Sequence, residues 1–328
     1  MSPNPNLDNP TPHPKVAVVI PCYRVVPGVL EVLRAIGPEV ARIYCVDDGC
    51  PDHSGQYVET HCPDRRVTVL RHERNLGVGA ATVTGFRQAL QEGAELVVKI
   101  DGDGQMDPAL LPRFLNPILA GRADYCKGNR FFRFESLHSM PLVRLWGNAV
   151  LSFATKLSSG YWNIFDPNNG YLAIHGRVLA ELPLHKLHPR YFFESDLLFR
   201  LNTLGAMVED VPMNATYSGQ RSSLRISRIA LPFLLNHLKN TAKRILYNHF
   251  LRNFSAASVE LVLGLASLLF GLVFGALRWW DSIQSGVPVT AGTVMLAALP
   301  VLLGTQLILS FLNYDIRNAP QIPLHKRL

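Results

Sequence analysis

Two stretches of this chain carry no charged residue, and they restrict its fold more than any other feature. Residues 261–277 form the first, and the apolar run reaches back to Ala256 past the single Glu260. Residues 282–314 form the second, with an apolar centre at 289–312. Each supplies the roughly 20 residues that a bilayer crossing needs. Glycines and small residues scattered through both suit helices that pack closely in lipid. A pair of buried core helices is the alternative. Trp279, Trp280 and Tyr314 stand at the ends, where interfacial aromatics belong.

Flanking charge sets the expected orientation. Lys239, Lys243, Arg244 and Arg252 precede the first stretch, Arg317, Lys326 and Arg327 follow the second, and the connection holds only Arg278. The positive-inside rule then predicts an integral membrane protein of two spans, with the domain that precedes them and both termini cytoplasmic. Residues 229–254 alternate apolar with basic or His residues at near-helical spacing, as in amphipathic helices lying on a membrane surface. An ordinary surface helix is the alternative there. The small residues of the spans also permit packing in trans, and hence a homo-oligomer.

The rest of the chain reads as a folded domain. Only 17% of the 328 residues are charged and 48% are hydrophobic, which disfavours a disordered chain. Residues 1–14, rich in Pro and Asn, are the exception and read as a disordered tail with no apolar signal-peptide core. The domain that follows is therefore expected to fold in the cytosol. Cys22, Cys45, Cys50, Cys62 and Cys126 form an odd set confined to the first half, which fits a reducing compartment better than a disulfide framework. A zinc site of Cys45, Cys50 and Cys62 with His53 or His61 lacks a CxxC pair.

From Lys15 onward, apolar strands alternate with polar loops and helical segments. VAVVI at 16–20, RIYCV at 42–46, VTVL at 67–70 and ELVVKI at 95–100 are the strands, and 78–92 reads as a helix. Short continuous apolar strands separated by helices predict a parallel sheet covered on both faces. The expected layout is an α/β, Rossmann-like domain over 15–222 and juxtamembrane amphipathic helices over 223–255. Two transmembrane helices (about 256–277 and 289–312) with a short tail complete residues 256–328. Polar and Gly-rich signals gather after the strands' C-terminal ends, where open α/β sheets bind ligands.

The segment DGDGQMDP, residues 101–108, follows one such strand. Asp101 and Asp103, with Gln105 nearby, offer hard oxygen ligands suited to Mg2+ or Mn2+. Such an ion keeps waters and shares substrate phosphates. An EF-hand loop is excluded, because its Gly and Glu positions hold Met106 and Pro112. A solvated turn, which Gly102 and Gly104 would suit, is the plain alternative. GVGAATVTG at 77–85 matches the dinucleotide fingerprint poorly, with Thr82 at its third glycine position.

VVIPCYR (18–24), VDDG (46–49), RNLGVGAA (74–81) and DGDGQMDP together resemble family-two glycosyltransferases of the GT-A fold. With residues 128–130, DPNNGY (166–171) and FFESDLL (192–198), the set is similar to the polyprenyl-phosphate glycosyltransferases, a group that includes dolichol-phosphate mannose synthase. The resemblance spans roughly 16–225. It implies that Pro21, Tyr23, Asp47 or Asp48, Asn75, Gly77, Asp101 and Gly102 surround the nucleotide of a UDP- or GDP-linked sugar. It implies a metal at Asp103 with Asp101 and Gln105. Arg130 would reach the donor diphosphate or acceptor phosphate, and Asp166 and Asp196 match acidic positions near the sugar and acceptor, with Asp196 favoured over Glu194. Arg221, Ser222 and Arg225 would grip a lipid phosphate. Three departures stand out: DGD replaces the family's DAD, Arg24 replaces an acid or Asn, and GQRSSLR (219–225) matches the family's RxxGxSK only loosely.

Sugar transfer from a nucleotide diphosphate requires stabilising charge on the departing phosphates, which a divalent ion and an Arg address. An alcohol acceptor also needs a base, whereas a lipid phosphate is already ionised. The expected activity is a metal-dependent, inverting transfer of one sugar to a polyprenyl phosphate at the cytoplasmic membrane face. A non-processive transferase with a saccharide or lipid-linked saccharide acceptor is the first alternative; the absence of QxxRW argues against processive synthesis. A catalytically silent membrane adaptor is the second. The net charge of +7 also permits nucleic acid, but the positives cluster at the membrane border and no RNA-binding motif occurs.

Overall fold

A computed structural model describes residues 14–26, 28–132, 142–213 and 226–328, and every structural statement concerns these. The chain divides into two compact units, Met1–Asn240 with Pro320–Leu328, and Thr241–Ala319.

In the first unit the β-branched runs form β1 (Val16–Cys22), β2 (Val40–Asp47), β3 (Val67–Arg71) and β4 (Leu96–Lys99), joined by β5 (Tyr125–Asn129), β6 (Leu172–His175) and β7 (Val208–Pro212). They make one seven-stranded sheet in the order β3-β2-β1-β4-β6-β5-β7. The four strands expected to be parallel, β1 to β4, pair in parallel, and the sheet becomes mixed at β6, a strand outside that expectation, which runs antiparallel to both β4 and β5. Its first residue, Leu172, pairs with Lys99 at the end of β4, so the DPNNGY turn lies at the same sheet edge as DGD. A four-residue apolar run carries no direction, which is why sequence periodicity cannot reveal this reversal.

The helices of this unit are α1 (Val29–Ala35), α2 (Ser54–His61), α3 (Val78–Gln91), α4 (Leu111–Leu119), α5 (Leu142–Ser159), α6 (Gly176–Glu181), α7 (Phe193–Leu204) and α8 (Ile226–Ile245), the last of which crosses into the second unit. Successive β1 side chains face opposite sides, as strand geometry dictates. Val18 and Ile20 join a core with Val29, Leu33 and Phe114, whereas Ala17 and Val19 join another with Phe86, Leu197 and Leu201. Burying each large side chain contributes about 1.5–3 kcal/mol, so both sheet faces are firmly covered. The C-terminal segment, expected as a simple tail, is anchored: Leu324 and His325 donate backbone N–H groups to the buried Asp124 carboxylate at 2.6 and 2.9 Å. The His325 ring also stacks on His175, with centroids 4.4 Å apart.

The second unit contains a π-helical turn (Leu246–Arg252) and two long helices, α9 (Ala256–Ser285) and α10 (Ala291–Arg317). Both run longer than their apolar stretches, because backbone hydrogen bonding ignores side-chain polarity. Gly286, at φ +66°, ends α9 in the left-handed conformation. Mean hydropathies of 2.2 and 2.1, with only 11% of each apolar window buried, make them candidate membrane spans rather than a buried core pair. They pack through glycine: a Cβ on Gly304 would lie 2.7 Å from both the Gly264 carbonyl oxygen and the Leu268 nitrogen.

Near the start of this hairpin Arg244 donates to Asp315 through both terminal nitrogens, at 2.6 and 2.9 Å, and His249 Nε2 lies 3.0 Å from Asp315 Oδ1. All three side chains are buried. Asp315→Ala would take from the buried Arg244 and His249 side chains the carboxylate they share, so a loss of about 3–5 kcal/mol is expected. Thermal unfolding of the detergent-solubilised protein checks this, and an unchanged midpoint would contradict it.

Candidate active site

The apolar run of β4 ends on a lysine, and that residue organises the site. Lys99 is 1% exposed. Its Nζ donates to Asp101 Oδ1 at 2.7 Å, to the Gly170 carbonyl at 3.2 Å and to Glu194 Oε1 at 3.3 Å. One ammonium thus joins the DGD loop, the DPNNGY turn and the first turn of α7. Burial pulls the Lys99 ammonium down, but the Asp101 and Glu194 carboxylates outweigh it and hold the group above its ordinary value. Gly170 leaves room for this arrangement, since a Cβ there would lie 2.3 Å from Asp101 Oδ2 and 2.7 Å from Lys99 Nζ and would push both aside.

A cleft of about 1200 Å3 opens over this edge. Pro21 near the end of β1 and Tyr23 and Arg24 just after it enter its wall, Asp48 follows β2, and Asn75 and Gly77 precede α3. Asp101, Gly102 and Asp103 supply the acidic part, with Gly170 and Glu194 beside Lys99. Val150, Leu151 and Ala154 of α5 and Phe233 and Leu234 of α8 add an apolar wall. Asp103 Oδ1 accepts the Gln105 N–H at 3.0 Å, and burial pushes the Asp103 carboxyl above the usual range. Asp48 ties the RNLG segment in place, accepting from the Leu76 and Gly77 N–H groups at 2.9 and 2.8 Å and bonding His72 Nδ1 at 2.8 Å.

Asp101 and Asp103 fit a divalent ion. Each has one oxygen engaged by a protein donor and Oδ2 without one among the described residues. No group of three or more His, Cys, Asp or Glu side chains gathers among those residues, so the remaining ligands would come from substrate and water. Gln105 reaches the loop through its backbone N–H.

Other sequence candidates occupy supporting positions. Asp47 accepts from the Cys50 and Gly55 N–H groups at 2.8 and 2.7 Å, anchoring α2. Arg130 is closed on Asp166, Nε to Oδ2 at 2.7 Å and Nη2 to Oδ1 at 3.0 Å, and this pair fixes the turn whose Asn168 and Gly170 reach the cleft. Asp196 accepts from His188 N at 3.0 Å, Arg200 Nε at 3.1 Å and Asn240 Nδ2 at 3.0 Å. Glu194, ranked below Asp196 from sequence, is the one brought to the cleft wall. Arg221, Ser222 and Arg225 lie outside the described residues.

Sequence reasoning passed over Lys99 and Lys127. The signal was present in both cases: a lysine inside an apolar strand is rarely buried without partners. Lys127 is fully buried on β5 and donates to the Asn169 carbonyl, and burial above all lowers its ammonium to about 8. Between pH 8 and about 10.5 the unfolded chain binds this proton and the fold does not, so this group makes stability rise with pH across that window. Against Lys127→Met, the wild type should gain about 3 kcal/mol from pH 8 to 10.5. Denaturant unfolding at several pH values checks it; parallel profiles would refute it.

A mixed sheet of this order, with a DxD-type loop ending a central strand over a large cleft, defines a glycosyltransferase of the GT-A fold. The Glycosyl transferase family 2 profile matches residues 17–182, about half of the chain. The chain belongs to that family and is a glycosyltransferase. Among its relatives is the UDP-N-acetylglucosamine–dolichyl-phosphate N-acetylglucosaminyltransferase of Methanococcus voltae, 27% identical over 62% of this chain and 86% of the relative. Another is the undecaprenyl-phosphate mannosyltransferase of Micrococcus luteus, 30% identical over 61% and 82%. Among solved structures, glucosyl-3-phosphoglycerate synthase from Mycobacterium tuberculosis, in complex with Mn2+, UDP and glucosyl-3-phosphoglycerate, shares the fold with a TM-score of 0.52 and 18% identity over 70% of this chain and 80% of that one.

Proposed function

We propose that the protein transfers a single sugar, with inversion, from a nucleotide-diphosphate sugar to a polyprenyl phosphate at the cytoplasmic membrane face. The observation that carries this reading is the composition of the cleft. Its acidic loop suits a metal-bound diphosphate, while Val150, Leu151, Ala154, Phe233 and Leu234 give it a wall suited to an isoprenoid chain rather than to a hydroxyl-rich saccharide. The relatives named for dolichyl- and undecaprenyl-phosphate substrates support that acceptor class. The Mn2+ and UDP of the solved neighbour support the metal and donor. The candidate spans support an acceptor that stays in lipid.

In this reading Asp101 and Asp103, with Gln105, hold Mg2+ or Mn2+. The bound ion supplies positive charge for the departing diphosphate. Lys99 keeps the Asp101 and Glu194 carboxylates in place. Pro21, Tyr23, Asp48, Asn75, Gly77 and Gly102 surround the nucleotide, and Asp47, through α2, steadies the loop beside Asp48. Arg130, Asp166 and Asp196 act from behind the wall by fixing the segments that form it, and Arg221, Ser222 and Arg225 meet the acceptor phosphate. A phosphate oxygen attacks the anomeric carbon as the bond to the diphosphate breaks, and no proton need be removed. Consistent with this, Asp48, Asp101 and Glu194 are all hydrogen-bonded to protein donors rather than set aside as a base.

The test is incubation of the detergent-solubilised protein with radiolabelled UDP- or GDP-sugars and undecaprenyl or dolichyl phosphate. An organic-extractable monosaccharide lipid is expected. Label passing only to an added saccharide, with no lipid product, would overturn the proposal.

A further inference from the structure

The cleft must hold negatively charged phosphates, yet few of its cations are available. Among the described lining residues Arg24, Lys99 and Arg190 are the permanent candidates. His237 also lines the cleft, but burial pulls its imidazole down to about 4, so it is neutral at physiological pH. Lys99 is closed on Asp101 and Glu194, and Arg24 lies over the ring of its neighbour Tyr23, 5.6 Å from the centroid. Arg130, the arginine that sequence reasoning put forward, is gripped at both ends by Asp166. The guanidinium of Arg190, by contrast, has no hydrogen bond, ion pair or ring contact among the described residues.

Its backbone is nonetheless fixed from two sides. The carbonyl of Pro189 accepts the Ala80 N–H at 3.0 Å in the first turn of α3, and the carbonyl of Arg190 accepts the Phe193 N–H at 2.9 Å at the start of α7. The aliphatic stem lies against Gly77, where a Cβ would come within 2.7 Å of Arg190 Cγ. Gly77, held at φ +105°, therefore makes room for this arginine beside Asn75 and Asp48. A stem fixed in this way, with all five donors unspent, is suited to a planar, bidentate grip on phosphate oxygens.

We propose that Arg190 binds the diphosphate of the nucleotide-sugar donor, one of the two tasks, donor diphosphate or acceptor phosphate, that the family resemblance left open for Arg130. The assignment rests on the donor reading above. It concerns this chain's own side chain and is independent of which base or sugar the donor carries.

Calorimetric titration of the full-length, detergent-solubilised protein with UDP and with GDP, in the presence of Mn2+, tests it. R190A should weaken binding of the accepted nucleotide by roughly ten- to a hundredfold, and R190K, a point charge without the fork, by less. The ligand-free unfolding temperature should not move, because the exposed guanidinium supports no other contact among the described residues. Unchanged nucleotide affinity in R190A, with the wild type binding normally, would overturn the assignment and leave the donor reading standing. So would unchanged nucleotide affinity with a raised KM for undecaprenyl phosphate, which would move Arg190 to the acceptor. Failure of the wild type to bind either nucleotide would overturn the donor reading itself, and this assignment with it.

Discussion

Lys99→Met should cost the catalytic unit about 3–5 kcal/mol of unfolding free energy and remove its transferase activity as well. Methionine approximates the length of the lysine stem and still fills the space, so the loss is that of the charge. Two carboxylates, Asp101 and Glu194, would lose their shared donor, and the carbonyl of Gly170 would lose one too. Asp101 would then be free to turn away from Asp103, spoiling the pair of oxygens that suits a metal. Denaturant unfolding measures the first effect, and Mn2+ titration measures the second. The double variant Lys99→Met/Glu194→Gln should recover part of the stability loss, because it removes one of the uncompensated charges; coupling of about 0.5–3 kcal/mol is expected. A single variant with wild-type stability and turnover would show that Lys99 is only a filler of the strand end.

Asp103→Ala separates function from folding in the opposite way. Among the described residues its carboxylate accepts from nearby backbone, the Gln105 N–H above all, and burial already disfavours its charged form, so removal should leave the unfolding midpoint unchanged or slightly raised. Turnover should nevertheless fall by roughly a hundred- to a thousandfold or more, since charge on the leaving diphosphate would lose its compensation. Chelation of metal from the wild type should reproduce the defect. Full activity in the variant with metal chelated would refute the metal assignment. The sign of the pH effect follows from the same burial. A carboxyl held above its usual range takes up its proton sooner on acidification, so metal binding should weaken at a higher pH than an exposed aspartate would allow.

Much of this site is readable from the amino-acid order, because loops after strand ends must carry ligand chemistry in a sheet covered on both faces. The DGD loop, the Asp48 turn and the Asn75–Gly77 approach to α3 are each local in sequence, and each reaches the cleft wall. Arg130, Asp166 and Asp196 show where such reasoning ends. Their residue types were compatible with phosphate or sugar contact, yet Arg130 and Asp166 close on each other across 36 positions, and the Asp196 carboxylate is taken by Arg200 four positions on and by Asn240 44 positions away.

What the sequence determined by itself was local: four of the seven described strands, the helix that follows Gly77, the acidic loop, and two apolar stretches long enough to cross a bilayer. These follow from periodicity and from the absence of charge, which act over a few residues at a time. The reversal of β6, the commitment of Arg130, the burial of Lys99 between two carboxylates and the lack of a partner for the Arg190 guanidinium among the described residues were decided only by tertiary structure. The reason is that pairing and desolvation depend on which distant groups share a space, and a charge is available for substrate only when no distant neighbour has already claimed it.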